Sequence, residues 1–206
     1  HKYPIADNDT PMLSSDRLEY TLSNGFGVRR ELWNLDEIKE IYENIEIQKN
    51  EEGIEELGFK DKEIAEKFVR NMSILSKSYM DNRTKISMQL LADIIKKMHE
   101  QNLIAKNDLY NLSEKEIIKK IENCQDYDIA QKFDEWKNAK KVYESDTYVE
   151  NKYCKSIKAK IRYINPLVRE KGNFIRISKI SERAKKDIDS CLKFETSKYA
   201  YFDFEF

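Results

Sequence analysis

"YAYFDFEF" (residues 199–206) sets the division of the chain, because its period is two. Ala200, Phe202, Phe204 and Phe206 fall on one side, and Tyr199, Tyr201, Asp203 and Glu205 on the other. Successive side chains of a strand point to opposite faces, so this alternation predicts a half-buried terminal strand. Working back, Ile157, Ala159, Ile161 and Tyr163 alternate with Lys158, Lys160 and Arg162, and "NFIRISKI" (173–180) follows Gly172. The 157–165 stretch has a basic outer face and the terminal one an acidic face, which favours antiparallel pairing. A small sheet of 157–165, 173–180 and 198–206 is expected, with a short helix at 181–193. Its apolar face would pack on the rest of the chain or on a second copy.

Upstream of Ser145 the period is helical. Ile64, Phe68, Met72, Leu75 and Tyr79 follow the 3-4 spacing of a buried stripe, predicting a helix over 61–80. Ile86, Leu90, Ile94 and Met98 predict another over 84–101. Asn34 with Glu37, and Ser113 with Glu116, read as capping boxes opening helices; Trp33 with Ile38 and Leu112 with Ile117 read as their hydrophobic staples. The second box opens a helix over 114–123, and a further helix is expected over 126–144. The polar, Gly-containing segment 49–60 reads as a connection. The expected fold class is mainly α: a bundle-like helical region (1–145) with a small C-terminal α+β appendage of antiparallel strands (146–206). Only 5 Gly and 3 Pro among 206 residues agree with a helix-rich chain.

Charge bounds the partners. There are 37 basic and 38 acidic side chains, a net charge of −1, without the basic excess usual in nucleic-acid binders. Nucleic acid is therefore not an expected partner, although local patches stay open. No apolar run reaches the ~20 residues of a membrane span, so no membrane partner is expected. Cys124, Cys154 and Cys191 are odd in number and dispersed, which predicts reduced thiols and a cytoplasmic location.

"LSSDRLEYTLSNG" (13–25) holds the candidate site. Ser14 or Ser15 can cap a helix here, Leu18 and Leu22 give its apolar side, and Asn24-Gly25 would stop it. Asp16, Tyr20 and Asn24 recur every four residues and form a polar row on one face. A carboxylate is a hard oxygen ligand for a divalent ion, and a phenol one turn away could donate to a phosphate. Aspartate in a first helical turn is also favoured by the helix dipole alone.

The segment "SSDRLEYTLSNG" resembles the last motif of the HD-domain metal-dependent phosphohydrolases. In that all-helical family a final Asp on a late helix completes a metal site begun by an upstream His and a His-Asp pair. The resemblance implies that Asp16 is the metal ligand, that Glu19 takes the family's second acidic position, and that Tyr20 is a catalytic residue facing substrate phosphate. The family's Arg and final Asp are replaced here by Ser23 and Asn24, which leaves the substrate open. Asn24, with Arg29 and Arg30 of "SNGFGVRRE", would contact it.

No His-Asp dipeptide occurs, and the only histidines are His1 and His99, the latter read as a surface or capping residue. The chain starts at His1, so the remaining ligands are expected in an upstream part of the same polypeptide. The expectation is thus the C-terminal portion of a phosphohydrolase acting on a small phosphorylated substrate. The intact protein would hold a divalent metal (Mn, Mg, Fe, Co or Ni), while this stretch alone would hold none and be inactive. The competing expectation is a non-catalytic helical interaction or regulatory module with an α+β tail; under either reading a homodimer stays open. Asp7 and Asp9 in "ADNDTP" read as a turn, and the Lys158, Lys160, Arg162 row as a solvated face.

Overall fold

The computed structural model describes residues 2–27 and 32–205. In chain order its elements are α1 (Ser15–Phe26), α2 (Leu35–Asn44), β1 (Ile45–Lys49), β2 (Glu55–Phe59), α3 (Lys62–Met80), α4 (Asn82–Glu100), α5 (Asp108–Asn111), α6 (Glu114–Glu122), α7 (Tyr127–Asn138), β3 (Tyr143–Ser145), β4 (Tyr153–Lys155), β5 (Leu167–Glu170), β6 (Asn173–Arg176), α8 (Ile177–Ile180), α9 (Glu182–Leu192) and β7 (Tyr199–Phe202). Among the described residues the strands form two sheets, ordered β1-β2-β5-β6 and β3-β7-β4. The fold is therefore α+β, not a mainly α bundle with an appendage. The chain forms two discontinuous compact units, His1–Tyr79 with Lys160–Glu195, and Met80–Ala159 with Thr196–Phe206. The expected boundary at 145 falls inside the second.

The first unit owes its sheet to a hairpin that was read as a polar connection. Ile45 and Ile47 alternate with Glu46 and Gln48, and β1 pairs antiparallel with β2 from Ile45↔Phe59 to Lys49↔Glu55. Asn50 makes the turn: its Oδ1 accepts from the backbone N–H groups of Glu52 and Ile54, both at 2.9 Å, and Gly53 takes φ +78°. The hairpin is only half amphipathic, since Glu56 is buried beside Leu57, and this hid its period. β2 then pairs parallel with β5, and β5 antiparallel with β6. One sheet face, with Leu57, Phe59 and Val168, joins Leu18, Leu22, Trp33, Phe68, Met72 and Ile188 in a single core.

The second unit packs Ile86, Leu90, Ile94 and Met98 of α4 against Ile121, Ile129 and Phe133, with Tyr153, Ala200 and Phe202 of the small sheet. The terminal alternation holds: Ala200 and Phe202 are buried, while Tyr199 and Tyr201 are half-buried on the other side. Phe206 lies outside the described residues.

The expected sheet of 157–165, 173–180 and 198–206 does not form. Residues 157–165 enter no ladder. Their apolar side chains are shared between two cores, Ile157 in one and Tyr163 with Ile164 in the other, so alternation arises here without strand pairing. β6 stops at Arg176 because Ile177, Ile180, Ala184 and Ile188 follow helical spacing, and the Ser181 Oγ caps α9 by accepting from the Ala184 N–H at 3.0 Å. β6 belongs to the first sheet and β7 to the second. α7 ends at Asn138 rather than near 144.

Both capping boxes form. Asn34 Oδ1 accepts from the Glu37 N–H at 2.9 Å, and Glu37 Oε2 accepts from the Asn34 N–H at 2.8 Å; Glu116 Oε2 accepts from the Ser113 N–H at 2.8 Å and from the Ser113 hydroxyl at 2.6 Å.

Candidate functional site

α1 begins where the sequence placed it. Ser14 is the N-cap, with its Oγ accepting from the Arg17 N–H at 3.3 Å. Two of the next helical N–H groups are met by the preceding segment: Ser15 donates to the Ile5 carbonyl at 2.8 Å and Asp16 to the Ala6 carbonyl at 3.2 Å. Orphan donors of a first turn are thus closed by backbone rather than by water.

Arg17 fastens that segment. Its guanidinium donates to the Asn8 side-chain oxygen at 3.0 Å and to the carbonyls of Met12 and Asn8. Asn8 in turn donates to the carbonyls of Pro4 at 2.9 Å and Leu13 at 3.1 Å. Burial pulls the Arg17 pKa below its ordinary value, opposed by the charges of Asp7, Asp9 and Asp16. Sequence reading passed over Arg17, whose partners lie up to nine residues away in an irregular segment.

On its inner side α1 buries Leu18, Thr21, Leu22 and Gly25. The Thr21 hydroxyl donates to the Met72 sulfur at 3.2 Å. Gly25 does not stop the helix, which runs to Phe26. A Cβ there would lie 2.4 Å from Trp33 Cδ1, so glycine is required by the close approach of that indole.

The outer side carries the predicted row. Asp16 and Asn24 are exposed, and Tyr20 is 58% exposed between them. The row is therefore one continuous solvent face of α1, with Glu19 and Ser23 alongside. Arg29 and Arg30 lie outside the described residues. His99 is exposed in the last turn of α4, with its Nδ1 3.0 Å from the Ile104 carbonyl oxygen in the segment that follows the helix.

Among the described residues no three or more His, Cys, Asp or Glu side chains converge where an ion could be held. One carboxylate fixes neither coordination number nor geometry. The described residues do not by themselves fit a divalent ion, and no reaction step is derived through one.

No family model, curated protein or solved structure matches this chain.

Three further polar features went unread in the sequence. Glu56, 0% exposed, pairs with Arg176, 9% exposed, whose guanidinium also donates to Glu51 and to the Asn165 carbonyl. Burial pushes the Glu56 carboxyl up, and Arg176 opposes this without cancelling it. In the second unit Asp93 accepts from Gln89 at 2.7 Å and from the Tyr153 hydroxyl at 2.8 Å, with the Lys155 ammonium at 2.9 Å. Burial raises the Asp93 pKa, but these three donors outweigh it and hold the carboxyl below its ordinary range. Both clusters bridge residues more than 55 apart in sequence, which no local pattern announces. Third, an open groove of about 660 Å³ is lined by Met98, Leu103, Leu112, Lys119, Asn123 and the half-buried Cys124 among others.

Proposed function

We infer that α1 supplies one wall of a divalent-metal phosphohydrolase centre whose other ligands come from outside the described residues. The observation that carries this reading is the exposed row of Asp16, Tyr20 and Asn24, borne on a helix whose first turn is braced from outside. An aspartate serving only as a helix-start residue would need no tyrosine and amide aligned beyond it. In this reading Asp16 is a hard oxygen ligand, Tyr20 donates to substrate phosphate, and Asn24 orients the substrate. The likeness of residues 14–25 to the last HD-domain motif supports the same roles. The substrate class is a small phosphate ester or nucleotide.

The test is Asp16→Ala in the full-length protein, with bound Mn and turnover of a phosphate ester both measured. Both should fall together, while the unfolding free energy read from urea melts falls by no more than the ~0.3–1 kcal/mol of a helix-dipole contact. Tyr20→Phe should lower turnover and retain the metal. Unchanged metal content and activity in Asp16→Ala would reduce Asp16 to a helix-start residue.

A further inference from the structure

The face of the second unit's sheet opposite its core bears half-buried tyrosines. β7 is the central strand, with β3 and β4 both antiparallel to it. The register sets Tyr143 of β3 and Cys154 of β4 opposite Tyr201, and Ser145 opposite Tyr199. The rings of Tyr143 and Tyr201 stack with centroids 5.3 Å apart, and Tyr148 meets Tyr199 edge-on at 5.9 Å. Tyr148 is itself 58% exposed.

Cations flank these rings. The Lys141 ammonium lies 4.7 Å from the Tyr143 centroid, and that of Lys198 lies 5.2 Å from the Tyr199 centroid. Both lysines are exposed and enter no ion pair among the described residues. The acidic groups on this side of β7 are Asp203 and Glu205, and both raise the pKa of the Lys152 ammonium, while Asp146 is exposed in the loop before Tyr148. Asp203 is ion-paired to Lys152 at 2.6 Å, and Glu144 stands opposite Ala200, on the other face.

We propose that this face is a stacking platform for a short run of single-stranded nucleic acid, with Tyr148, Tyr199 and Tyr201 taking base planes and Lys141 and Lys198 meeting phosphates. Every base presents a π-face and every linkage one negative charge, so aromatic rings beside ammonium groups suit both. Tyr199 and Tyr201 recur along one strand about 7 Å apart, enough to engage successive bases of an extended chain. A proline-rich peptide would use the rings but leave the lysines without a role. The chain's net charge of −1 means that binding rests on this face and not on a general basic field. The proposal is independent of the α1 reading.

Fluorescence anisotropy of labelled oligo(dT) and oligo(U) with the full chain tests it. Saturable binding is expected, weakening roughly seven-fold between about 50 and 200 mM salt if two phosphates are neutralised. Tyr148→Ser and Tyr199→Ser should each weaken binding about tenfold, and Lys198→Ala should flatten the salt dependence. If Tyr199→Ser unfolds the sheet, Tyr148→Ser and Lys141→Ala carry the test, because those side chains are exposed. Preference for oligo(U) over oligo(dT) would assign the site to RNA, and equal binding to either strand. No saturable binding at the lowest salt, binding untouched by Tyr148→Ser, or capture of a proline-rich peptide without either oligonucleotide would overturn the proposal.

Discussion

At the residue scale, Asp93 is the group whose protonation most directly reports on the second unit. Its carboxylate accepts from Gln89 and the Tyr153 hydroxyl and faces the Lys155 ammonium, and Tyr153 belongs to the core. The folded pKa is depressed, so the group contributes stability above the ordinary aspartate value of about 3.9, and that contribution is lost as pH falls through the folded pKa. Urea midpoints should therefore drop as pH falls below the ordinary aspartate value of about 3.9, and part of that drop should vanish in Asp93→Asn. An identical acid slope in wild type and Asp93→Asn would show the cluster to be energetically idle. Asp16, exposed at a helix start, lends itself instead to the metal and turnover measurements described above. The two aspartates look alike in sequence. What separates them is whether distant residues arrive to donate to the carboxylate.

At the element scale, β7 matters beyond its own few residues. β3 and β4 are both paired to it and not to each other, so it is the strand that makes their sheet. Phe202 stacks on Tyr153 at 6.3 Å and on Phe204 at 5.2 Å. Each phenylalanine removed from the core forfeits on the order of 2 kcal/mol of burial. Deleting residues 198–206 should therefore lower the urea midpoint steeply and expose apolar surface, seen as aggregation in light scattering. A truncated protein that stayed soluble and equally resistant to urea would show β7 to be dispensable. The alternation at 157–165 has no such consequence. Its periodicity matches that of β7, but its apolar residues are divided between two cores and no strand pairs with it.

At the scale of the whole molecule, each compact unit is built from two separated stretches of chain, so neither corresponds to a continuous segment. For the proposed hydrolase this has a direct consequence. In that proposal Asp16 is one exposed ligand, and among the described residues no three His, Cys, Asp or Glu side chains converge to complete a site. The isolated 206-residue chain should show negligible phosphohydrolase activity with Mn, Mg or Co. Robust turnover by that chain, abolished by Asp16→Ala, would place a complete centre within it and overturn the assignment of the other ligands elsewhere.

The sequence by itself determined what depends on neighbours within a turn or two. It gave the cap at Ser14, the boxes at Asn34 and Ser113, the buried stripes of α3 and α4, and the inward and outward sides of β7. These follow from short-range hydrogen bonds and from periods of 3.6 and 2. It also aligned Asp16, Tyr20 and Asn24 on one helix face. Only the tertiary structure decided what depends on long-range pairing. The β1–β2 hairpin was hidden because Glu56 is buried in a strand that sequence reads as polar, and Arg176, 120 residues away, is what makes that burial tolerable. The parallel join of β2 to β5 pairs residues more than 100 apart in sequence, such as Gly58 with Leu167, and leaves no local trace. Gly25 looked like a helix stop until Trp33 was seen against it. The outward tyrosines became a surface only when β3 and β7 were set in register. In each case the deciding partner is remote in sequence, and a period read along the chain carries no information about it.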